Sequence, residues 1–444
     1  MRSLRPRSGL WGHADFLKLW AGQSISEFGS QISPLAVGWL AAVSLHASPI
    51  EFSLLEVLTF LPFILLALPA GVWVDRWRRR PVLIAGDAAR AALLAYIPIA
   101  WALDVLTIWQ LLPLQFAIGT FTVFFDVAYQ SYLPSLVERD QLVEGNSKLQ
   151  TTASAAQIGG PGLAGVLIGV ITAPYAVVVD AASFVLSVLF MLRIRRPERP
   201  PERAPDAPKP RLLPELKEGL SYVLGHRYLK WIALCTSTSN FFGQIGFVVS
   251  LLYFVRVLHL SSFAAGAVFS CLGIGAIGGA LTTTRVQRLV GVGRAIWIPA
   301  ALFSLGWLAF PLAPQAFPIP VLVAGALVGG YGSMVYNISQ VSLRQAITPE
   351  RLQGRMNASM RWLVWGTLPL GQLTGGAIAT AWGLRTALWV GALGGAFTFL
   401  PVLLSSVRSI GEMPEPLVEP AEAEGAGGIV EPTSRPVPVS SPDA

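Results

Sequence analysis

Between residues 18 and 407 the chain reads as about twelve apolar spans, and the loops that join them carry their positive charge almost entirely on one side. The spans run roughly 18–43, 52–74, 82–102, 108–131, 148–171, 174–193, 228–251, 262–283, 294–313, 318–340, 357–381 and 385–407. A helix of about 18 to 25 residues crosses a hydrocarbon core of about 30 Å. Lys and Arg total 32, yet only Arg256 and Arg385 fall in loops opposite the N-terminus. Basic residues concentrate in cytoplasmic loops. The expected chain is therefore an all-α, multi-pass protein of the cytoplasmic (inner) membrane, with both termini cytoplasmic.

Composition excludes several classes. Charged residues make up 13% and hydrophobic residues 53%, where a soluble domain carries about 25% charged. The excess positive charge is divided among short loops, so it marks topology and the lipid bilayer as partner, not nucleic acid. The first span is too long for the core of a signal peptide, and no cleaved leader is expected. Cys235 and Cys271 lie inside spans, and His226 and His259 stand alone. No disulfide framework, metal site or cofactor is expected. The chain has no Gly-Lys pair, hence no P-loop for ATP. Gly273-Ile-Gly275-Ala-Ile-Gly278 imitates a dinucleotide fingerprint but lies within an apolar span, where small residues pack helices.

The widest interruption, Arg195 to Lys217, is rich in Pro and charge and separates six spans from six. The expected divisions are an N-terminal six-helix bundle (1–194), a cytoplasmic linker (195–226), a C-terminal six-helix bundle (227–408) and a disordered cytoplasmic tail (409–444). The halves repeat. A shift of 210 positions sets Gln130 on Gln340, Leu133 on Leu343, Leu163 on Leu373 and Gly165 on Gly375. At a slightly different offset, FLKLW (16–20) matches YLKWI (228–232). Two parallel repeats around a linker is the architecture of rocking transporters, whose substrate site lies near the midplane between halves.

The loop after the second span reads Gly71-Val-Trp-Val-Asp75-Arg76-Trp-Arg78-Arg79-Arg80-Pro81. It resembles the loop signature of the major facilitator superfamily: Gly, three residues, Asp-Arg, then a basic cluster. That superfamily usually has Gly where Arg78 stands. Span five contains Gly159-Gly160-Pro161-Gly162-Leu163-Ala164-Gly165, where proline kinks a helix and small residues permit close packing. It is similar to the Gly-Pro motif of proton-driven exporters, with Ala164 in place of a common Gly. Trp20–Gln31, Phe124–Pro134, Asp180–Phe184 and Gly354–Asn357 resemble the branch holding the enterobactin exporter and macrolide efflux proteins. The resemblance covers about residues 12–408. It implies a major facilitator fold of twelve transmembrane helices in two six-helix repeats, with no enzymatic activity.

The same resemblance implies a proton-coupled exporter of a small amphiphilic molecule (drug, siderophore or other metabolite), with protons and the small-molecule substrate as partners and a monomer as the working unit. A symporter or importer on the same fold is one alternative, a membrane enzyme or lipid scramblase another. Charges inside spans are costly and mark function. Glu27 and Asp126 are the proton-coupling candidates, with Glu27 on a helix that lines the central cavity in this fold. Asp87 and Arg90, at i,i+3 spacing, are expected to form an intramembrane ion pair. Gly71, Asp75, Arg76 and Arg79 with Asp126 are expected to form a conformational latch at the cytoplasmic end. Gly160, Pro161, Gly162 and Gly165 form the helix-kink motif. Asp180 is expected to be structural.

Overall fold

The computed structural model of the chain describes residues 9–413 except 75, 197 and 199–211. Six helices make the first half: α1 (Ala14–Trp39), α2 (Pro49–Val74), α3 (Arg79–Ala102), α4 (Ile108–Leu136), α5 (Leu142–Ile171) and α6 (Ala173–Leu192). A shorter helix, α7 (Leu212–Gly225), precedes the second half. That half comprises α8 (Leu229–Arg256), α9 (Ser262–Val290), α10 (Arg294–Leu312), α11 (Pro318–Ala346), α12 (Glu350–Trp365), α13 (Thr367–Trp382), α14 (Leu384–Gly395) and α15 (Leu400–Leu403). Ten helical segments among the described residues are long and apolar enough to cross a membrane. α1 carries Asp15, Lys18 and Glu27 and is more polar. The eleventh span is broken at Gly366 into α12 and α13, and the twelfth loosens between α14 and α15.

The halves share one packing plan. α1 packs on α5 and α6, α2 on α4, and α3 on α4 and α6. Correspondingly, α8 packs on α13 and α14, α9 on α11, and α10 on α11 and α14. Both ends of α11 lie 210 residues after those of α4, the offset of the sequence repeat. The connecting turns repeat as well. His46 and His259 both sit at φ 51°, and Thr172 (φ 70°) corresponds to Gly383 (φ 92°). The left-handed region favours glycine, so the first repeat tolerates at Thr172 a strain that the second relieves.

Helices in lipid gain little from apolar contact alone, so they associate where small residues let backbones approach. A Cβ on Gly306 would come 2.6 Å from Gly325 O, and one on Gly332 would come 2.6 Å from Pro299 O. Gly279 meets Tyr331 O in the same way at 2.7 Å. In the fingerprint-like run of α9, Gly275 abuts Leu327 O in the seam with α11, and Gly273 abuts Ile158 of α5.

Two stretches differ from the sequence expectation. Residues 212–225, within the expected linker, form a helix held on α12 by Glu218, which accepts from Arg355 Nη1 at 2.6 Å. The first residues of the expected tail are held too: Ile410 O and Gly411 O accept from Gly293 N and Val292 N at 2.8 and 3.0 Å. Residues 414–444 lie outside the described residues.

Among the described residues the halves pack mainly through α5 on α9 and α2 on α13. The loops α2–α3, α4–α5 and α9–α10 define a basic face, and α1–α2, α5–α6 and α8–α9 define the far face. Hydrogen bonds join the two halves on the far side of the midplane. Arg256 Nη2 donates to Ala42 O at 3.0 Å and to Ala47 O at 2.7 Å. Ala42 lies in the single π turn, Leu40–Ser44, that ends α1. Ser262 Oγ donates to Gly165 O at 2.8 Å, and Gly162 N donates to Ser270 Oγ at 2.9 Å. The seams are α5 on α9 and α2 on α13, which correspond under the repeat. Toward the basic face they end near Ile158–Gly273 and Phe60–Trp365. Beyond them α4 and α11 have no comparable packing across the halves among the described residues, and we read the space between the halves there as a cleft.

Candidate functional site

A cluster of charges lies in the first half beside the cleft. The i,i+3 spacing on α3 puts Asp87 and Arg90 on one face, where they form an ion pair with side chains 0% and 6% exposed. The Arg90 guanidinium lies over two rings, 4.3 Å from the centre of Phe125 and 4.2 Å from that of Phe184. Each such contact adds about 0.5–2 kcal/mol. Asp126 of α4 and Asp180 of α6 both feel the charge of Arg90, and Asp126 also feels Glu27 of α1. Three carboxyls from three helices thus feel one guanidinium, and Glu27 from a fourth helix neighbours one of them.

Local sequence makes room for this cluster. Gly29 lets α1 approach α6, since a Cβ there would come 2.6 Å from Asp180 Oδ1 and overlap Ser183. Ser33 donates to Asp180 Oδ2, and Ser183 Oγ donates to Asp180 O at 2.7 Å. Asp180 is therefore fixed by hydroxyls of α1 and of its own helix. Glu27 is half-buried and accepts from Gln23 Nε2 at 3.1 Å. The Tyr129 hydroxyl, near Glu27 and Asp126, has no hydrogen-bond partner among the described residues. Asp126 is half-buried. Glu27 and Asp126 are thus the half-buried acids of the cluster, with the buried Tyr129 hydroxyl beside them.

The loop residues lie elsewhere. Asp75 is outside the described residues. Gly71 has open space around it, and Arg76 is exposed in the turn. Arg79 heads α3, where its N–H donates to Glu198 Oε1 at 2.7 Å and that of Arg80 to Oε2 at 3.1 Å. A carboxylate is favoured at that position by the helix dipole. The Arg79 guanidinium is 3.8 Å from the same Glu198. Asp126, ten residues before the end of α4, stands at the level of Arg90. This conformation therefore joins Arg79 to Glu198, and joins Asp126 to Glu27 and Arg90.

The Gly-Pro segment builds the seam between halves. A Cβ on Gly165 would come 2.5 Å from Ser262 O and 3.0 Å from Phe263 Cα. Pro161 O abuts Gly266 of α9, and Gly160 abuts Gln31 of α1. Pro161 lies inside an unbroken α5.

Sequence reading passed over Glu56. It lies in the apolar run of α2 and lines a cavity of about 270 Å³ between the halves, with Gln31, Phe52, Phe247 and Phe269. The rule that flagged Glu27 applies equally to Glu56. A larger hollow, about 1010 Å³, runs between α1, α5 and α6; exposed Ile25, Leu163, Tyr175 and Val178 line it and no charged group does, so it belongs to the lipid-facing wall. In the second half Arg344 donates to Gln340 Oε1 and Asn357 Oδ1, each at 3.0 Å. No group of three or more His, Cys, Asp or Glu able to hold a metal occurs among the described residues.

This helical plan, with its two repeats and single cleft, is that of a major facilitator transporter. The chain has a TM-score of 0.70 to the crystal structure of a bacterial homologue of the iron transporter ferroportin in its inward-facing state, at 14% identity, covering 88% of this chain and 98% of that one. The TM-score to that homologue's outward-facing state is 0.54, at 17% identity. The family model for transmembrane secretion effectors matches residues 11–430, and the chain belongs to that family. It is 27% identical over 382 residues to the multidrug efflux pump Tap of Mycobacterium tuberculosis, covering 82% of this chain and 87% of Tap. It is 24% identical over 381 residues to macrolide efflux protein A of Streptococcus pyogenes, covering 83% and 90%. The protein is a multi-pass membrane transporter of the efflux branch and not an enzyme.

Proposed function

We propose that the protein exports small amphiphilic molecules from the cytoplasm in exchange for protons, by alternating access across the cytoplasmic membrane. The basic face and both termini are cytoplasmic in this reading, as the bias of Lys and Arg supports. The observation that carries it is the placing of the contacts between halves: Arg256, Ser262 and the glycine seams join them toward the far face, while among the described residues α4 and α11 have no comparable packing across the halves, which supports a cleft open toward the basic face. Substrate enters from the cytoplasm. Rocking then breaks the far-face contacts and closes the basic face, where the Gly71–Arg79 loop meets the second half as a latch. The relatives' names, efflux pumps both, support the direction.

Proton coupling rests on the charge inventory. Arg90 is committed to Asp87, so the carboxyls of Glu27 and Asp126 have no cation of their own among the described residues. A proton on Glu27 or Asp126 neutralises the excess, and its release toward the cytoplasm resets the site. Glu27→Gln in inverted membrane vesicles tests this. Transport of a fluorescent amphiphile such as Hoechst 33342 is expected to lose its dependence on an imposed pH gradient, while binding persists. Transport by Glu27→Gln that still responds to the gradient as in wild type excludes Glu27 as the carrier.

A further inference from the structure

We propose that Glu56 anchors the cationic group of a lipophilic cation, held in the apolar cavity at the closed apex of the cleft. The inference rests on the reading of the cleft as a substrate path, and adds the site and the charge class.

The position of Glu56 follows from helix geometry. Pro49, Ser53, Glu56 and Phe60 are spaced by four, three and four residues, which puts them on one face of α2. The flanking members show where that face points. Ser53 and Pro49 O crowd Gly376 of α13, and Phe60 packs on Trp365 with ring centres 5.8 Å apart. Among the described residues of this face of α2, Glu56 is the one acid. Its cavity draws walls from both halves: Gln31 of α1, Phe52 of α2, Phe247 of α8, and Phe269 and Leu272 of α9. Residues from both halves enclose it, so closing and opening the cleft must reshape it.

The chemistry of the wall selects the ligand. Glu56 makes no hydrogen bond or ion pair with another described residue, and no charged group acts on it. Nearby cations are taken: Arg256 by the carbonyls of Ala42 and Ala47, Arg90 by Asp87. An acid without a partner at membrane depth is expensive. A ligand cation removes that cost, and three phenylalanines line the same cavity, where a ring face can attract the charge. The other lining groups are apolar apart from Gln31, which suits a hydrocarbon or aromatic body. An anion of the same shape meets the carboxylate and gains nothing in return. Glu27 does not compete for this role, because it lies outside the cavity and already accepts from Gln23.

The test uses the purified full chain in lipid nanodiscs and two probes with the same four-phenyl body and opposite charge, tetraphenylphosphonium and tetraphenylborate. Wild type is expected to bind the phosphonium at least about tenfold more tightly than the borate, a gap of about 1.4 kcal/mol. Glu56→Gln should weaken phosphonium binding by about tenfold or more and leave the borate nearly unchanged, while Glu56→Asp stays within about threefold of wild type. Equal binding of both probes by wild type overturns the proposal, as does wild-type phosphonium affinity in Glu56→Gln. Should Glu56→Gln fail to fold, the two-probe comparison on wild type and the Glu56→Asp result still decide. Binding needs no pH gradient, so a chain that binds the phosphonium selectively but shows no gradient-driven transport loses proton-coupled export and keeps this site.

Discussion

The two halves of the molecule share a packing plan and almost no chemistry. The apolar spans of the first half contain Glu27, Glu56, Asp87, Asp126 and Asp180. From Gly219 to Gly411 the second half contains a single acid, Glu350, at the start of α12. Where the first half sets Arg90 against carboxyls, the second gives Arg344 the neutral amides of Gln340 and Asn357. Its α9, α10 and α11 close instead on glycine, as at Gly275, Gly279, Gly306 and Gly332. Repetition therefore preserved the contacts that fold each half, and left the titratable groups in one of them. The second half then acts as a packed wall and lever against which the charged half works.

The largest expected effect tests that division. Arg90→Met leaves Asp87 buried without its cation, which costs about 3–5 kcal/mol. Thermal unfolding of the purified protein should show a large loss, with poor yield. Adding Asp87→Leu should recover much of it, since removing both partners of a buried pair is far less harmful than removing one. Arg344→Met, by contrast, breaks bonds to amides and should cost much less. If Arg90→Met and Arg344→Met melt alike, the charged cluster does not organise the first half.

The seam between halves ranks second. Gly165→Val and Gly266→Val each push a side chain into backbone of the other half, whereas Gly275→Val strikes the α9–α11 seam inside one half. The first two should leave each half folded but hold the far face apart, lowering transport by about tenfold or more with a modest change in melting. Gly275→Val should instead lower melting, because overpacking within a half costs about 1–3 kcal/mol or more. Normal transport by both inter-half variants would mean that the far-face seam is not closed during the cycle.

Much of this was legible in the sequence. The apolar spans, the offset of 210 and the one-sided positive charge were enough to place most helices and to pair the repeats. Asp87–Arg90 was legible because both partners lie on one helix at a fixed spacing. The wider cluster was not, because Asp126 and Asp180 face Arg90 from two other helices and Glu27 faces Asp126 from a third, and only tertiary packing brings those together. Glu198 was hidden for the same reason: it comes from a Pro-rich stretch and caps α3, more than a hundred residues earlier. Glu56 was open to the rule for intramembrane charge and was overlooked beside better-known motifs. The break at Gly366 was masked by the apolar run around it.

The smallest expected effect is at the helix that joins the halves. α7 is tied to α12 by Glu218 and Arg355, whose side chains are 46% and 34% exposed. Water screens such a pair and side-chain entropy opposes it, so pairs of this kind contribute about 0–1 kcal/mol. Glu218 also lies 3.9 Å from Arg351, which spreads its charge over two cations without burying it. Packing does more here: Gly219 lies against Arg355 O, where a Cβ would overlap the backbone. Glu218→Gln should therefore leave melting and transport close to wild type, and raising salt should have equally little effect. Gly219→Val should do clear damage, since it prises α7 from α12 whatever the ionic strength. A Glu218→Gln variant that melts as early as Arg90→Met would show that exposed charge matters as much in the second half as buried charge does in the first, and the contrast between the halves would fall.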